Sequence, residues 1–539
     1  MNKESVNAVV KQLTARGMVI GAIGAVIITM SSMFVALKLS SLPWPIMFVA
    51  LISMFALKGL GNTNLNEINV THTAMSAGAM VSGGLAFTIP GIWILRPDAE
   101  PNFLMILIVS IGGTILGLIF TALIRKYFVE TQDLAFPMGQ AAAETLIVGD
   151  EGGSKAKLLF SSLAVAGLFA LLRDWFHKIP AVLLNQKMMS YGSLGGIWLS
   201  PMLIAVGYII GPLAISIWFL GAIIGDFGIM IGTQSMGIFD YTEAVAFKQS
   251  LGIGLMVGTG FGILLKGILP NAKEIFGSMF SKNSGDSIIR MRWAPIVMVL
   301  LAFIFTTVLN LGVIASVITI IGVWLATSMS SQCVGQSGIN PMEIFGILVL
   351  IAVKAVTNIG DIEAFYVAAI VAVACGLVGD VMNDFKEGHI LNSNPKAQWI
   401  AECIGGMIGA VVSVATLYII FKAYGGGAIG SEEFPAAQAA AVASMVGGIS
   451  NMTAFLIGMI AAVILYFLNF PVMTLGLGVY LPFYLSATAF IGGMIRLVVD
   501  RFGKSPRIKD NGNIIAAGCL GGEAVVGVLI AIYIAVTAI

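Results

Sequence analysis

Phe136-Pro137-Met138-Gly139-Gln140-Ala141-Ala142-Ala143 returns 298 positions later as Phe434-Pro435-Ala436-Ala437-Gln438-Ala439-Ala440-Ala441. Each copy sits in a segment, at 133–149 and 432–448, that is rich in small residues. Both are too brief for a crossing, which takes about 20 apolar residues. The proline removes a backbone donor and interrupts any helix entering from upstream. Each segment therefore reads as a re-entrant hairpin, whose freed backbone groups must be buried in protein or line a watery cavity. Two weaker echoes keep the same order. Met30-Ser31-Ser32 ahead of Pro43 matches Met329-Ser330-Ser331 ahead of Pro341, and Pro201 with Ile210-Gly211 matches Pro482 with Ile491-Gly492. Three matches in one order point to an internal duplication, with a first repeat over 1–290 and a second over 291–539 that starts after an extra span at 293–310.

The flanking sequence sets the solvent. Of 539 residues, 58% are hydrophobic and 10% charged, against about 25% charged in an ordinary soluble domain. At one crossing per ~20 apolar residues, the length accommodates about 14 to 17 transmembrane helices. An all-α polytopic membrane protein follows, and a soluble enzyme on one anchor, a disordered chain and a disulfide-rich secreted domain are excluded. The first-half runs are 17–38, 44–60, 70–95, 102–124, 156–174, 197–211, 213–232 and 246–268. The second half gives 293–310, 312–331, 342–358, 362–382, 398–421, 449–468, 471–485, 486–500 and 513–538. The pairs within 197–232 and 471–500 read equally as single broken spans. The run after Arg16 lacks a small-residue cleavage site and reads as a first span, not a removed signal. Many of the 64 glycines recur at four-residue spacing, as in Gly254/Gly258/Gly262 and Gly405/Gly409, where they allow helices in lipid to approach closely.

Near-balanced charge, 28 Lys plus Arg against 27 Asp plus Glu, provides no field for nucleic acid. Cys333, Cys375, Cys403 and Cys519 lie far apart and read as packed thiols. The positive-inside rule puts most basic residues inside when the N-terminus is cytoplasmic, with the clusters Lys266–Arg292 and Arg501–Lys509 the strongest. The Arg173–Lys187 loop fits worst. The two repeats would then be inverted, with a hairpin entering from each face, an architecture of secondary transporters. No Gly-rich loop followed by Lys-Ser/Thr is present, so the energy source is not bound nucleotide.

Ionisable groups within spans are functional-site hypotheses by default. Asp380, Asn383 and Asp384 share a helical face where the 362–382 span is expected to meet the cytoplasmic boundary. They read as a substrate or proton gate, or more plainly as a charged helix end. Around the hairpins, Phe136, Pro137, Gln140, Phe434, Pro435 and Gln438 suit a zwitterionic, amide-rich ligand or, more plainly, helix–helix packing turns, and Glu144 adds an acid where the second copy has Val442. Glu523, with Glu402 and Glu343 as weaker versions, could take up and release a proton. Lys38 and Lys354 lie in spans, and Lys38 reads as a ligand contact or a snorkelling end. Arg496 is a carboxylate anchor or another such end. The stretch Asn62, Asn64, Asn66, Glu67, Asn69 and His72 reads as the lining of a vestibule or, more plainly, as a polar loop. His72, His177 and His389 have no ligand spacing, so neither a bound metal nor a cofactor is expected. Asp380 and Asp384 have no second acid-rich copy and no catalytic His motif, which argues against an enzyme. A channel remains the alternative of a different class, although no carbonyl-filter repeat or charged ring is visible.

With these residues in view the chain resembles the oligopeptide transporter family, which also contains the yellow-stripe metal–chelate transporters. The resembling pieces are Ser31-Ser32 through Lys38 ahead of Pro43, Leu134 to Glu144, Gly252 to Gly258, Asp380 to Gln398, Gly476 to Pro482 and Gly521-Gly522-Glu523. The element Asp-x-x-Asn-Asp-x-Lys-x-Gly-His, Asp380 to His389, is the most specific. The compact length is similar to prokaryotic members, and Lys178-Ile179-Pro180 departs from the Lys-Ile-Pro-Pro-Arg of the eukaryotic peptide branch. The resemblance implies proton-coupled uptake of small peptides, or of peptide-like metal chelates, by a carrier in the cytoplasmic (inner) membrane. Its partners would be the peptide, protons and the bilayer, with a homo-oligomer left open.

Overall fold

The computed structural model describes residues 12–39, 42, 46–100, 102–151, 153–270, 288, 293–338, 340–431, 434, 436–447, 449–502 and 506–537. Pro435, the side chain of Lys38 and much of both basic clusters used for orientation lie outside the described residues. The described chain is helical apart from a small antiparallel hairpin that pairs Val182–Leu184 with Gly196–Trp198. Among the described residues ten helices are long and apolar enough to cross a membrane, or eleven if Gln438–Gly447 and Met452–Phe467 form one broken span.

That is fewer than the 14 to 17 expected, because several apolar runs fold as shorter helices. Val49–Leu60, Pro201–Ile210 and Ala294–Thr307 are apolar but short. Gly211, at φ +96°, separates Pro201–Ile210 from Pro212–Ala222. Leu481, extended before Pro482, separates Val472–Tyr480 from the helix that starts at Phe483, as expected of a residue that precedes proline.

Two helices run further than their apolar stretches. Leu65–Ala86 starts five residues before position 70, because the Asn64 side chain accepts from the Glu67 N–H and caps it. Glu67 in that first turn receives Arg16 through Nε and Nη2, each at 2.7 Å. Asp361–Ile390 continues eight residues past position 382 and keeps 364–388 buried. The stretch from Asp380 to Gly388 is thus interior helix, not the charged boundary expected from sequence.

The chain divides into two compact units. The first comprises 1–146, 268–448 and 528–539; the second comprises 147–267 and 449–527. In the first, Leu65–Ala86 packs against Ala15–Leu39, Pro395–Tyr424 and Asp361–Ile390, and the last also packs on Phe103–Arg125. Contact with Pro395–Tyr424 is backbone to backbone: a Cβ at Gly405 would collide with the Ala74 carbonyl, and one at Gly409 with Gly78. In the second unit Tyr241–Gly262 meets Met452–Phe467 in the same way at Gly254 and Gly258.

Gly405→Val should therefore overpack the 65–86 contact at a cost of about 1–3 kcal/mol or more. Thermal unfolding in detergent should show a lowered midpoint. Gly427→Val, at a glycine with open space around it, should leave the midpoint near that of the native protein.

Candidate functional site

Three neighbouring helices of the first unit bring their polar residues to one buried place. Leu65–Ala86 contributes Asn69, His72 and Ser76, spaced three and four apart and so on one face. Asp361–Ile390 contributes Asp380, Asn383, Asp384 and Glu387, and Pro395–Tyr424 contributes Gln398 and Glu402. None of the nine exposes more than 1% of its surface.

His72 Nε2 lies 2.8 Å from Glu387 Oε1 and 3.2 Å from the Asn69 amide. Ser76 Oγ donates to Asp384 Oδ2 at 3.0 Å, and Gln398 Nε2 donates to the Asp384 carbonyl at 2.6 Å. The ligand-capable atoms of His72, Asp384 and Glu387 lie within 4.8 Å of one another, and so do those of Asp380, Asp384 and Glu402. Both sets have a spacing that suits either shared protons or a bound cation. Both oxygens of Asp380 and of Glu402, with one each of Asp384 and Glu387, have no hydrogen-bond donor among the described residues. Four carboxylates thus face one imidazole. Each ion transferred from water to such an interior costs several kcal/mol, so positive charge, from protons or a cation, has to balance them.

The short helix Pro137–Glu151 is tied to this cluster. Asn383 Oδ1 accepts the Gly139 N–H at 3.1 Å, in the first turn of Pro137–Glu151, and Asn383 Nδ2 donates to the Gly379 carbonyl. Phe136 enters the helix at φ +44° and its N–H donates to the Gly335 carbonyl at 2.9 Å. Ahead of the second short helix, Ala437–Gly447, Ala436 stands at φ +42° and its N–H donates to the Leu37 carbonyl at 3.1 Å. The rings of Phe136 and Phe434 are fully buried, the latter edge-on to Phe34 and Tyr424. Gln140 and Glu144 lie one turn apart on an exposed face, and Gln438 is half-buried. Lys354 Nζ donates to the Val446 carbonyl near the end of the second short helix. Glu343 is buried in the same unit.

Two other residues singled out from sequence lie in the second unit. Glu523 receives Arg173 Nη2 at 2.7 Å, the Ser200 hydroxyl on both oxygens and the Met202 N–H at 2.8 Å. Arg496 donates to Asp500 and Asn513, each at 2.9 Å, and lies over the Tyr208 ring.

A model of the OPT oligopeptide transporter protein family matches residues 12–534. The chain belongs to that family. The putative oligopeptide transporter of Haemophilus influenzae is 24% identical over 585 residues, covering 90% of each chain. The metal-nicotianamine transporter YSL2 of Arabidopsis thaliana is 34% identical over 83 residues, 12% of each chain. The probable metal-nicotianamine transporter YSL13 of Oryza sativa subsp. japonica is 24% identical over 179 residues, 28% of this chain and 24% of its own. OPT membership makes the protein a membrane transporter and not an enzyme, in agreement with the resemblance read from its motifs.

Sequence reasoning missed His72, Ser76 and Glu387 as members of this transporter's cluster. Asn64 followed three residues later by Glu67 is a helix-start signature; starting the span there puts Asn69, His72 and Ser76 on one face. Glu387 follows Asp380 at seven residues and Asp384 at three, the same face again. Spacing along the chain could not reveal that His72 has carboxylate neighbours, because they come from other helices.

Lys386, on the same helix, turns away from the cluster and reaches Asp133 Oδ1 at 2.5 Å, in the loop ahead of the first short helix. That hydrogen bond and charge hold the exposed Asp133 carboxyl below the usual aspartate range. The pair's contribution to stability is present above the ordinary value, ~3.9, and is lost as pH falls through the lowered one. Lys386→Met should return the Asp133 titration, followed by NMR of labelled aspartate, to near ~3.9.

Proposed function

We propose that the protein is a proton-coupled carrier that takes up small peptides across the cytoplasmic membrane by alternating access. Asp380, Asp384 and Glu402 hold the coupling protons in this reading. The observation that carries it is the buried cluster itself: four carboxylates, six of whose oxygens have no donor among the described residues, on adjacent helices and facing one imidazole. A carboxylate that balances its charge with a proton can take that proton up from one side and release it to the other.

The internal duplication is part of the same reading. Leu37 and Gly335, which receive the backbone N–H groups at the two short helices, are themselves 298 positions apart, the offset between Phe136 and Phe434. Each compact unit also draws segments from both halves of the chain. Both facts favour repeats over 1–290 and 291–539 with exchanged hairpins, and the basic residues favour a cytoplasmic N-terminus and hence inversion.

We assign the substrate to the polar hairpin faces, with Gln140 and Gln438 offering amides, Glu144 a site for an amino terminus, and Pro137 and Asn383 holding the first hairpin in place. Lys38 stays a candidate for the substrate carboxylate. Phe136 and Phe434, with buried rings, fit anchoring better than ligand contact. Glu523 and Arg496, whose polar atoms are engaged, fit holding the second unit together. Peptide is preferred to chelate because the relative named for oligopeptides matches across 90% of both chains, whereas the metal-nicotianamine relatives named above match over at most 28% of this one. Those matches keep metal–chelate import as the second reading.

Purified protein in proteoliposomes with an internal pH dye tests the proposal, using di- to pentapeptides and then ferric or nickel chelates. Peptide addition should acidify the interior. Asp380→Asn with Glu402→Gln should reduce peptide-driven proton entry by about tenfold or more, an effect on the scale of a lost acid–base group. Acidification with chelates alone would move the substrate to the second reading. If neither solute moves protons, the symport proposal is wrong.

A further inference from the structure

We propose that His72 and Glu387 form a proton relay that carries protons between Asp384, and through it Asp380 and Glu402, and the end of the Asp361–Ile390 helix. The inference rests on the symport reading above and adds a path to it. Asp384 belongs to both sets of atoms that approach within 4.8 Å, one with His72 and Glu387 and the other with Asp380 and Glu402. Five titratable side chains thus form one continuous series, with Asp384 at its centre.

The series has a direction. Asp380 and Glu387 lie seven residues apart, about 10 Å along the helix axis, a third of a hydrocarbon core ~30 Å thick. Burial is continuous to Gly388 and ends at His389 and Ile390, both exposed. Glu387 is therefore the acid next to the open end of the helix, and Asp380 the innermost.

Imidazole suits the second position because it accepts a proton on one nitrogen while releasing one from the other. In a purely structural pair the second nitrogen is normally fixed by a carbonyl or carboxylate. Here Nε2 meets Glu387 and Asn69, whereas Nδ1 is buried without a hydrogen-bond partner among the described residues. The 103–125 helix, which packs on the 65–86 and 361–390 helices, carries Arg125, and that is bound to Glu130. The 361–390 helix presents Asp380, Asp384 and Glu387, and the 395–424 helix presents Glu402 beside the neutral Gln398. On the 15–39 helix Arg16 is engaged by Glu67 of His72's own helix. The 46–60 helix carries Lys58, which is exposed. Lys386 is spent on Asp133. No fixed cation competes with His72 for these acids among the described residues.

The test compares native protein with His72→Gln, Glu387→Gln and the double variant in proteoliposomes, using a tripeptide already shown to acidify the interior. Two rates are read: peptide-driven proton entry, and tripeptide counterflow with equal peptide on both sides, which needs no net proton delivery. The relay predicts that proton entry falls by about tenfold or more, that counterflow falls less than about threefold, and that the double variant is no worse than either single one. If the double variant does not fold, the two single variants decide on the same criteria. Proton entry unchanged in the variants overturns the relay and leaves symport standing. Parallel loss of both rates makes His72 a packing residue and also overturns it. Native protein that moves no protons removes the symport reading itself.

Discussion

A carboxylate taken out of water must find its positive charge in the protein or borrow it, and the organisation of both units follows from which solution is used. In the second unit the charge is supplied. Glu523 has Arg173, a hydroxyl and a backbone N–H, and buried Asp226 has Lys248 at 2.8 Å and the Ser193 hydroxyl at 2.7 Å. In the first unit four acids share His72, and the nearest lysine on the same helix is bound to Asp133. Residues of the same type are thus each given a cation in one unit and left to share a single imidazole in the other. What decides is the number of partners and not depth, since all are buried.

Helix packing makes the shared arrangement attainable. The contact of Gly405 and Gly409 with Ala74 and Gly78 lets the 65–86 and 395–424 helices touch along their backbones. His72 and Glu402, one from each of these helices, both come within 4.8 Å of Asp384 on the 361–390 helix. Asn383 on the same helix also holds Gly139. A change in the charge of the cluster and a change in the first short helix are therefore one residue apart.

Sequence alone discloses the membrane class, the glycine contacts, the family motifs and the acids at Asp380, Asp384 and Glu402. Hydropathy carries that information because it averages over many residues. It misleads where a helix stays buried after its apolar residues end. Position 382 looked like a boundary, yet helix and burial continue to Gly388; position 70 looked like a start, yet Asn64 begins the helix. Both errors have one cause: polar residues facing other polar residues inside a bundle look like loop to a hydropathy scale. The partners of Glu523 were illegible for another reason. Arg173 is 350 positions from Glu523, and no local pattern announces such a pairing.

The two long-range backbone hydrogen bonds also set a timetable for synthesis. Phe136 donates to a carbonyl at Gly335, and Ala436 to one at Leu37. The first acceptor is made about 200 residues after its donor, which at roughly 5–20 residues per second is a delay of ~10–40 s. Through that interval the leading N–H of the first short helix needs another partner. The second short helix is made after its acceptor and docks at once. Of the two halves, the earlier one is the one that has to wait, and it is where an insertion chaperone or a lipid headgroup has most to do.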